Sequence, residues 1–80
     1  MRMERALSSV SSLYGYKPSE ITAAHQKGGP HRLARARWHF WDMLHRNGWP
    51  YAEIARRLGL HHTSVIYGVR KHNEEKGREL

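Results

Sequence analysis

Between Glu53 and His72 the chain reads EIARRLGLHHTSVIYGVRKH, a run in which a small residue, a glycine and a valine recur at set intervals. Two helices that cross steeply and are joined by a tight turn need a small side chain where their axes come closest, and Ala55 supplies one. Four residues later the chain must reverse at low steric cost, and Gly59 tolerates a left-handed conformation there. Six residues further on, Val65 is placed to turn inward and pin the second helix to the first. Ile54, Leu58 and Leu60 fill apolar positions around these three. The pattern predicts a helix-turn-helix; an ordinary helical hairpin in an unrelated bundle is the plainer alternative.

Working outward, Pro50 suits the first turn of the helix that carries Tyr51, Ile54, Ala55 and Leu58, and a last helix opens around His61 to Thr63 and continues to about Glu75. Upstream, Arg32–Asn47 carries Leu33, Ala36, Phe40, Met43 and Leu44 on one face and Arg35, His39, Asp42 and Arg46 largely on another, and Gly48 ends this long amphipathic helix. Gln26 to His31 is a poor helix former and reads as a mobile basic loop. Before it, Pro18 begins a short helix through about Ala24, and Met3, Leu7, Val10, Leu13 and Tyr14 form the apolar stripe of a first helix stopped by Gly15. No strand signal and no internal repeat competes. The expectation is a single all-α domain over 1–80 with about five helices, a core over about 5–75 and a short flexible tail at 76–80.

Eighty residues bury too little surface to hold a deep catalytic pocket beside a complete core. The 14 Lys and Arg against 7 Asp and Glu give a formal charge of +7, which points to polyanionic partners. That excess sits in the middle of the chain. Lys27, Arg32, Arg35, Arg37, Arg46, Arg56, Arg57, Arg70 and Lys71 face only Asp42 and Glu53 between positions 27 and 71, while acids and bases balance outside it. Without cysteine there is no disulfide or thiolate metal site. No apolar run approaches the roughly 20 residues of a membrane span, and the first residues lead into no signal-peptide core. A soluble, cytoplasmic, nucleoid-associated protein is the expectation.

A helix-turn-helix that reads DNA lays its second helix in the major groove with N-terminal side chains on the base edges. Here those side chains are His61, His62, Thr63 and Ser64. Imidazole donates or accepts, and a threonine methyl packs on thymine, so the set is competent for base reading. Further along the outward face Tyr67 and Lys71 can reach phosphates. Gly68 either leaves room for a close backbone approach or packs against a neighbouring helix, two readings of equal weight.

At this point the motifs converge on a family. Glu53-Ile54, Leu58-Gly59, His62-Thr63-Ser64-Val65 and Arg70-Lys71 together resemble the C-terminal DNA-binding domain (domain IV) of the bacterial chromosomal replication initiator DnaA, whose signature contains an Asp-His-Thr-Thr-Val run followed by Arg-Lys-Ile. Leu33-Ala34-Arg35-Ala36-Arg37 resembles that family's Val-Ala-Arg-Pro-Arg, and Val10 to Ile21 resembles its first two helices, so the likeness spans about Arg5 to Glu75. It implies a Trp-repressor-like helix-turn-helix fold in which His62 and Thr63 read bases, Ser64 contacts a phosphate, and Arg35 and Arg37 grip the DNA backbone. It also implies a minor-groove contact from the loop before the long helix, for which Lys27, His31 and Arg32 are the candidates. His61 stands where the family has Asp and Leu60 where it usually has Arg, so preference at the facing base should differ. The family's phosphate-binding Gly-rich loop has no counterpart in these residues, which implies no nucleotide cofactor and no catalysis by this segment.

Other features have plain readings. His61 and His62 are adjacent and His39 and His45 six apart, so neither pair has ligand spacing on one helix face and no metal is expected. Trp38, Trp41 and Trp49 could stack on bases, but one or two of them are read as core, with Trp49-Pro50 a staple before the fourth helix. Arg56 and Arg57 either touch phosphate or form a solvated face. Double-stranded DNA is the expected partner, with a replication or transcription protein as a further one. The competing readings are a module like the promoter-recognition region of sigma factors, which Tyr51 to Gly59 also resembles, and a basic surface that docks a protein or RNA.

Overall fold

The computed structural model describes residues 1–23 and 31–78. Over these it is all-α, with five helices: α1 (Met3–Tyr14), α2 (Pro18–Thr22), α3 (His31–Arg46), α4 (Tyr51–Leu58) and α5 (His62–Arg78). Lys27, the expected mobile loop up to Pro30 and the last expected residue of α2, Ala24, lie outside the described residues. Arg32 and His31 are described, and both belong to the first turn of α3.

The core forms around α3, which packs against all four other helices. Its Ala36, Phe40, Trp41 and Leu44 are buried and meet Ala6 and Val10 of α1, Ile21 of α2, Ile54 and Ala55 of α4, and Val65 and Val69 of α5. The expected stripe on α1 is largely kept: Val10 is fully buried and Met3, Leu7 and Tyr14 pack partly against the core. Ala6 joins it fully buried, whereas Leu13, on the same side but in the last turn, is 61% exposed.

The chain turns where glycine permits it. Gly15 has φ 78° and its N–H bonds to the Ser11 carbonyl, ending α1; Gly59 has φ 68° and ends α4 in the same way on Ala55. Between α3 and α4, Trp49 N–H reaches back 3.1 Å to Leu44 O, and the His45 Nδ1–H donates to Trp49 O at 2.9 Å. The His45 ring also stacks on Tyr51, with centroids 3.9 Å apart. Trp49 is partly buried against the core, and its indole N–H donates to Met1 O at 3.0 Å, tying the start of the chain to this corner.

At the other end α5 continues to Arg78, three residues past its expected stop and through part of the expected tail. Its middle is held by Gly68. A Cβ there would stand 2.6 Å from Trp38 Cδ1 and closer still to the Trp41 ring, so only glycine lets α5 lie directly on the two indoles of α3. The packing reading of Gly68 accounts for its place.

Candidate nucleic-acid interface

The end of α4, a three-residue turn and the start of α5 form one unit held from inside. Ala55 is 4% exposed and Val65 and Ile54 are fully buried, so the inner corner is apolar and closed. The amides of Gly59 and Leu60 both bond to the Ala55 carbonyl, the latter at 2.8 Å, which satisfies the end of α4 and aims the chain into α5. With its buried side so fixed, the first turn of α5 presents His61, His62, Thr63 and Ser64 outward, and all four are exposed.

These side chains are ordered by one another. His61 Nδ1 lies 2.7 Å from Thr63 Oγ1 and 3.3 Å from Thr63 N, which makes its imidazole the N-terminal cap of α5. The His61 and His62 rings stack with centroids 4.7 Å apart. One turn on, Tyr67 is 56% exposed, its ring edged by Trp38 at 6.1 Å and covered by Lys71 Nζ at 5.6 Å. Thr63, Tyr67 and Lys71 recur every fourth residue and so share a face of α5. Lys71 also pairs with Glu74 at 3.6 Å.

From α3, the first two turns approach the same face. His31 meets Trp38 edge to face at 5.9 Å, and Trp38 in turn meets Tyr67. A mainly apolar hollow of about 300 Å³ lies between Ala34, Trp38 and Trp41 on one side and Leu60, Thr63, Ser64 and Tyr67 on the other. Arg35 is half-exposed, and its Nε donates to Glu75 Oε2 at 2.7 Å, with His31 Nε2 3.8 Å from the other oxygen.

Two arginines expected at DNA are engaged elsewhere. Arg37 is only 7% exposed, and its guanidinium donates to Glu20 O at 3.0 Å and Ile21 O at 3.3 Å, closing the C-terminal end of α2. The physical reason is helical geometry: positions 35 and 37 are about 200° apart around the axis, so a helix that shows Arg35 to solvent turns Arg37 toward its neighbours. As the structure stands, Arg37 is a structural residue and not a backbone contact. Arg32 donates through Nη2 to Tyr14 O at 3.1 Å and lies over the Tyr14 ring, so it braces the end of α1. Arg56 pairs with Glu53 at 2.7 Å, and Arg57 lies 5.5 Å above the Trp49 ring.

A polar seam between α3 and α5 has no forerunner in the sequence reading. Asp42 is 4% exposed and accepts from Arg46 Nε at 2.7 Å and from Asn73 Nδ2 at 3.0 Å, with His72 Nε2 at 3.6 Å. Beside it the His39 and His72 rings stack at 4.4 Å, and His39 Nδ1 is 3.1 Å from the Tyr14 hydroxyl. Burial pushes both imidazoles below their ordinary pKa; the neighbouring His72 lowers His39 further, whereas Asp42 pulls both back up. The spacing of Asp42 to Arg46 announces a helical pair, but nothing in the sequence announces that α5 closes over it. Among the described residues no group of three or more His, Cys, Asp or Glu is arranged to hold a metal ion, and no helix is long and apolar enough to cross a membrane.

Residues 35–79, more than half of the chain, match the family described as "Putative ATPase subunit of terminase (gpP-like)". The match takes in α3 after its first turn together with α4 and α5, and leaves out α1 and α2. No curated protein and no solved structure matches the chain. The chain belongs to this gpP-like terminase family.

Proposed function

We propose that this terminase-family chain is a sequence-selective, double-stranded DNA-binding module of the helix-turn-helix class, in which α5 enters the major groove. The observation that carries the reading is the first turn of α5: four exposed polar side chains on a helix whose other face is fully buried, in a chain of net charge +7. His61, His62 and Thr63 face base edges, while Ser64, Tyr67, Lys71 and Arg35 take phosphates. Arg35 exchanges Glu75 for a phosphate on docking. His31, at the exposed start of α3, is the described residue nearest to a minor-groove role.

The family's name mentions an ATPase subunit, and these 80 residues contain no Gly-rich phosphate loop with its Lys and Ser/Thr. In our reading this segment supplies the DNA grip and performs no catalysis of its own. A second reading, a small DnaA-like regulator of replication or transcription, is favoured by a separate observation. The DnaA-like motifs run through α1 and α2 as well, where the terminase match is absent. Both readings share the same groove contacts and differ in the site occupied.

Titration against a random duplex library at two salt concentrations tests the shared core. The expected result is an enriched motif and an affinity whose logarithm falls with log salt at a slope of roughly −2 to −4, as for two to four phosphate contacts. Binding that enriches no motif, or that is indifferent to salt, would overturn it in favour of a protein- or RNA-docking surface.

A further inference from the structure

The cap on α5 fixes which hydrogen of His61 points outward. Two groups of Thr63 approach His61 Nδ1, the backbone N at 3.3 Å and the hydroxyl at 2.7 Å. A hydroxyl can donate or accept, but a backbone amide can only donate, so Nδ1 must be the acceptor and carries no hydrogen. The Thr63 hydroxyl, facing the same lone pair, then donates as well. A neutral imidazole with a bare Nδ1 bears its hydrogen on Nε2, on the edge of the ring away from the cap. His61 is exposed, and the stacked His62 ring, inclined by 26°, holds its plane.

We propose that His61 is a specificity-determining residue that presents a fixed N–H donor to the major groove and selects guanine there. This deepens the DNA-binding reading and rests on it. Guanine offers two adjacent acceptors, N7 and O6, on its groove edge and no donor; cytosine offers a donor amino group at N4. A locked donor therefore meets guanine well and opposes cytosine. The cap gives the preference its stability, since turning the ring to show an acceptor would leave the Thr63 amide without its partner.

The substitution His61→Asp separates polarity from folding. Aspartate is a good helix cap and can accept from the same Thr63 amide, so the start of α5 is retained, yet its outward oxygen is an acceptor. Selection from a random duplex library should give guanine at one position for the native chain and cytosine at that position for H61D, with the rest of the motif unchanged. In direct titration, exchanging guanine for cytosine should weaken the native chain roughly fivefold or more and strengthen H61D. An identical motif from both proteins overturns the inference and leaves the groove reading intact; no motif from the native chain removes both. A second measurement needs neither DNA nor a variant. Nitrogen-15 NMR of the imidazoles in the free protein should show His61 as the Nε2–H tautomer, and an Nδ1–H form overturns the inference.

Discussion

The two ends of α5 use polar side chains in opposite ways. At its start, His61 and Thr63 satisfy each other along the inner edge of the turn and leave their outer edges to solvent. Toward its far end, His72 and Asn73 face a buried carboxylate, and the polar groups of the seam satisfy one another. Among the described residues no buried side-chain N or O lacks a hydrogen-bond partner. The first arrangement keeps bonding capacity for a ligand, whereas the second consumes it in holding α5 to α3. Residue type does not separate the two regions, since each contains a stacked pair of histidines; what separates them is whether the outer edge meets water or another helix.

The comparison breaks first at the hinge between the two ends. Gly68→Val should lower stability by roughly 3 kcal/mol, because the new methyl groups meet the Trp38 and Trp41 rings, a cost well above the roughly 0.4 kcal/mol of helix propensity recovered. Denaturant unfolding followed by circular dichroism reads this, and an unchanged midpoint would show that α5 does not need that close approach. Next, Arg37 and Arg35 should trade places as targets. Arg37→Met should cost about 2 kcal/mol of stability by leaving two carbonyls at the end of α2 without their charged donor, while the folded fraction binds DNA as before. Arg35→Met should cost well under 1 kcal/mol, its partner being a half-exposed ion pair, yet should weaken binding to all duplexes alike.

The seam should also respond to acid. His39 and His72 have folded pKa values below the ordinary 6.5, so the unfolded chain takes up protons first as pH falls. Their neutral packing is therefore fully favourable above about pH 6.5, and stability declines below it toward the lowered folded values. Asp42 and Glu75 oppose this trend at His72, whereas Lys76 and Arg46 reinforce it. Chemical unfolding at neutral pH and near pH 5 should show the decline, and His39→Phe should flatten it. The smallest expected effect is at Lys71. Lys71→Ala should leave the selected motif unchanged and reduce the salt slope by about 1, as the loss of the one phosphate contact proposed for it requires.

Much of the architecture was open to reading because it depends on backbone permissions and apolar period. Gly59 and Gly15 adopt the positive φ angles that their positions call for, and Ala55 and Val65 are buried at the spacing that a tight helix pair requires. The first turn of α5 was legible as exposed for the same reason, since Val65 fixes which way the helix faces. What stayed hidden depended on tertiary rotation. Arg35 and Arg37 look alike in the sequence, but only the packing of α2 against α3 decides which of them points out. Leu13 fits the stripe of α1 by type and by angle, yet it is Ala6, about 20° from it around the axis and two turns earlier, that neighbouring helices cover. Asp42 reads as a solvated partner for Arg46 until α5 covers it. The cap at His61 was invisible because imidazole is not a usual cap, and only the distance to the Thr63 amide reveals it.

Trp38 gives the molecule an optical gauge of its own. Its indole touches Tyr67 on the outward side and backs onto the Gly68 cradle on the inward side, so quenching or a spectral shift upon adding a duplex would report events at the outer surface. Trp41, nearly sealed at 5% exposure, should stay silent in the same titration. A Trp38→Phe chain that loses the signal while keeping the emission of Trp41 and Trp49 would locate the contact without any label.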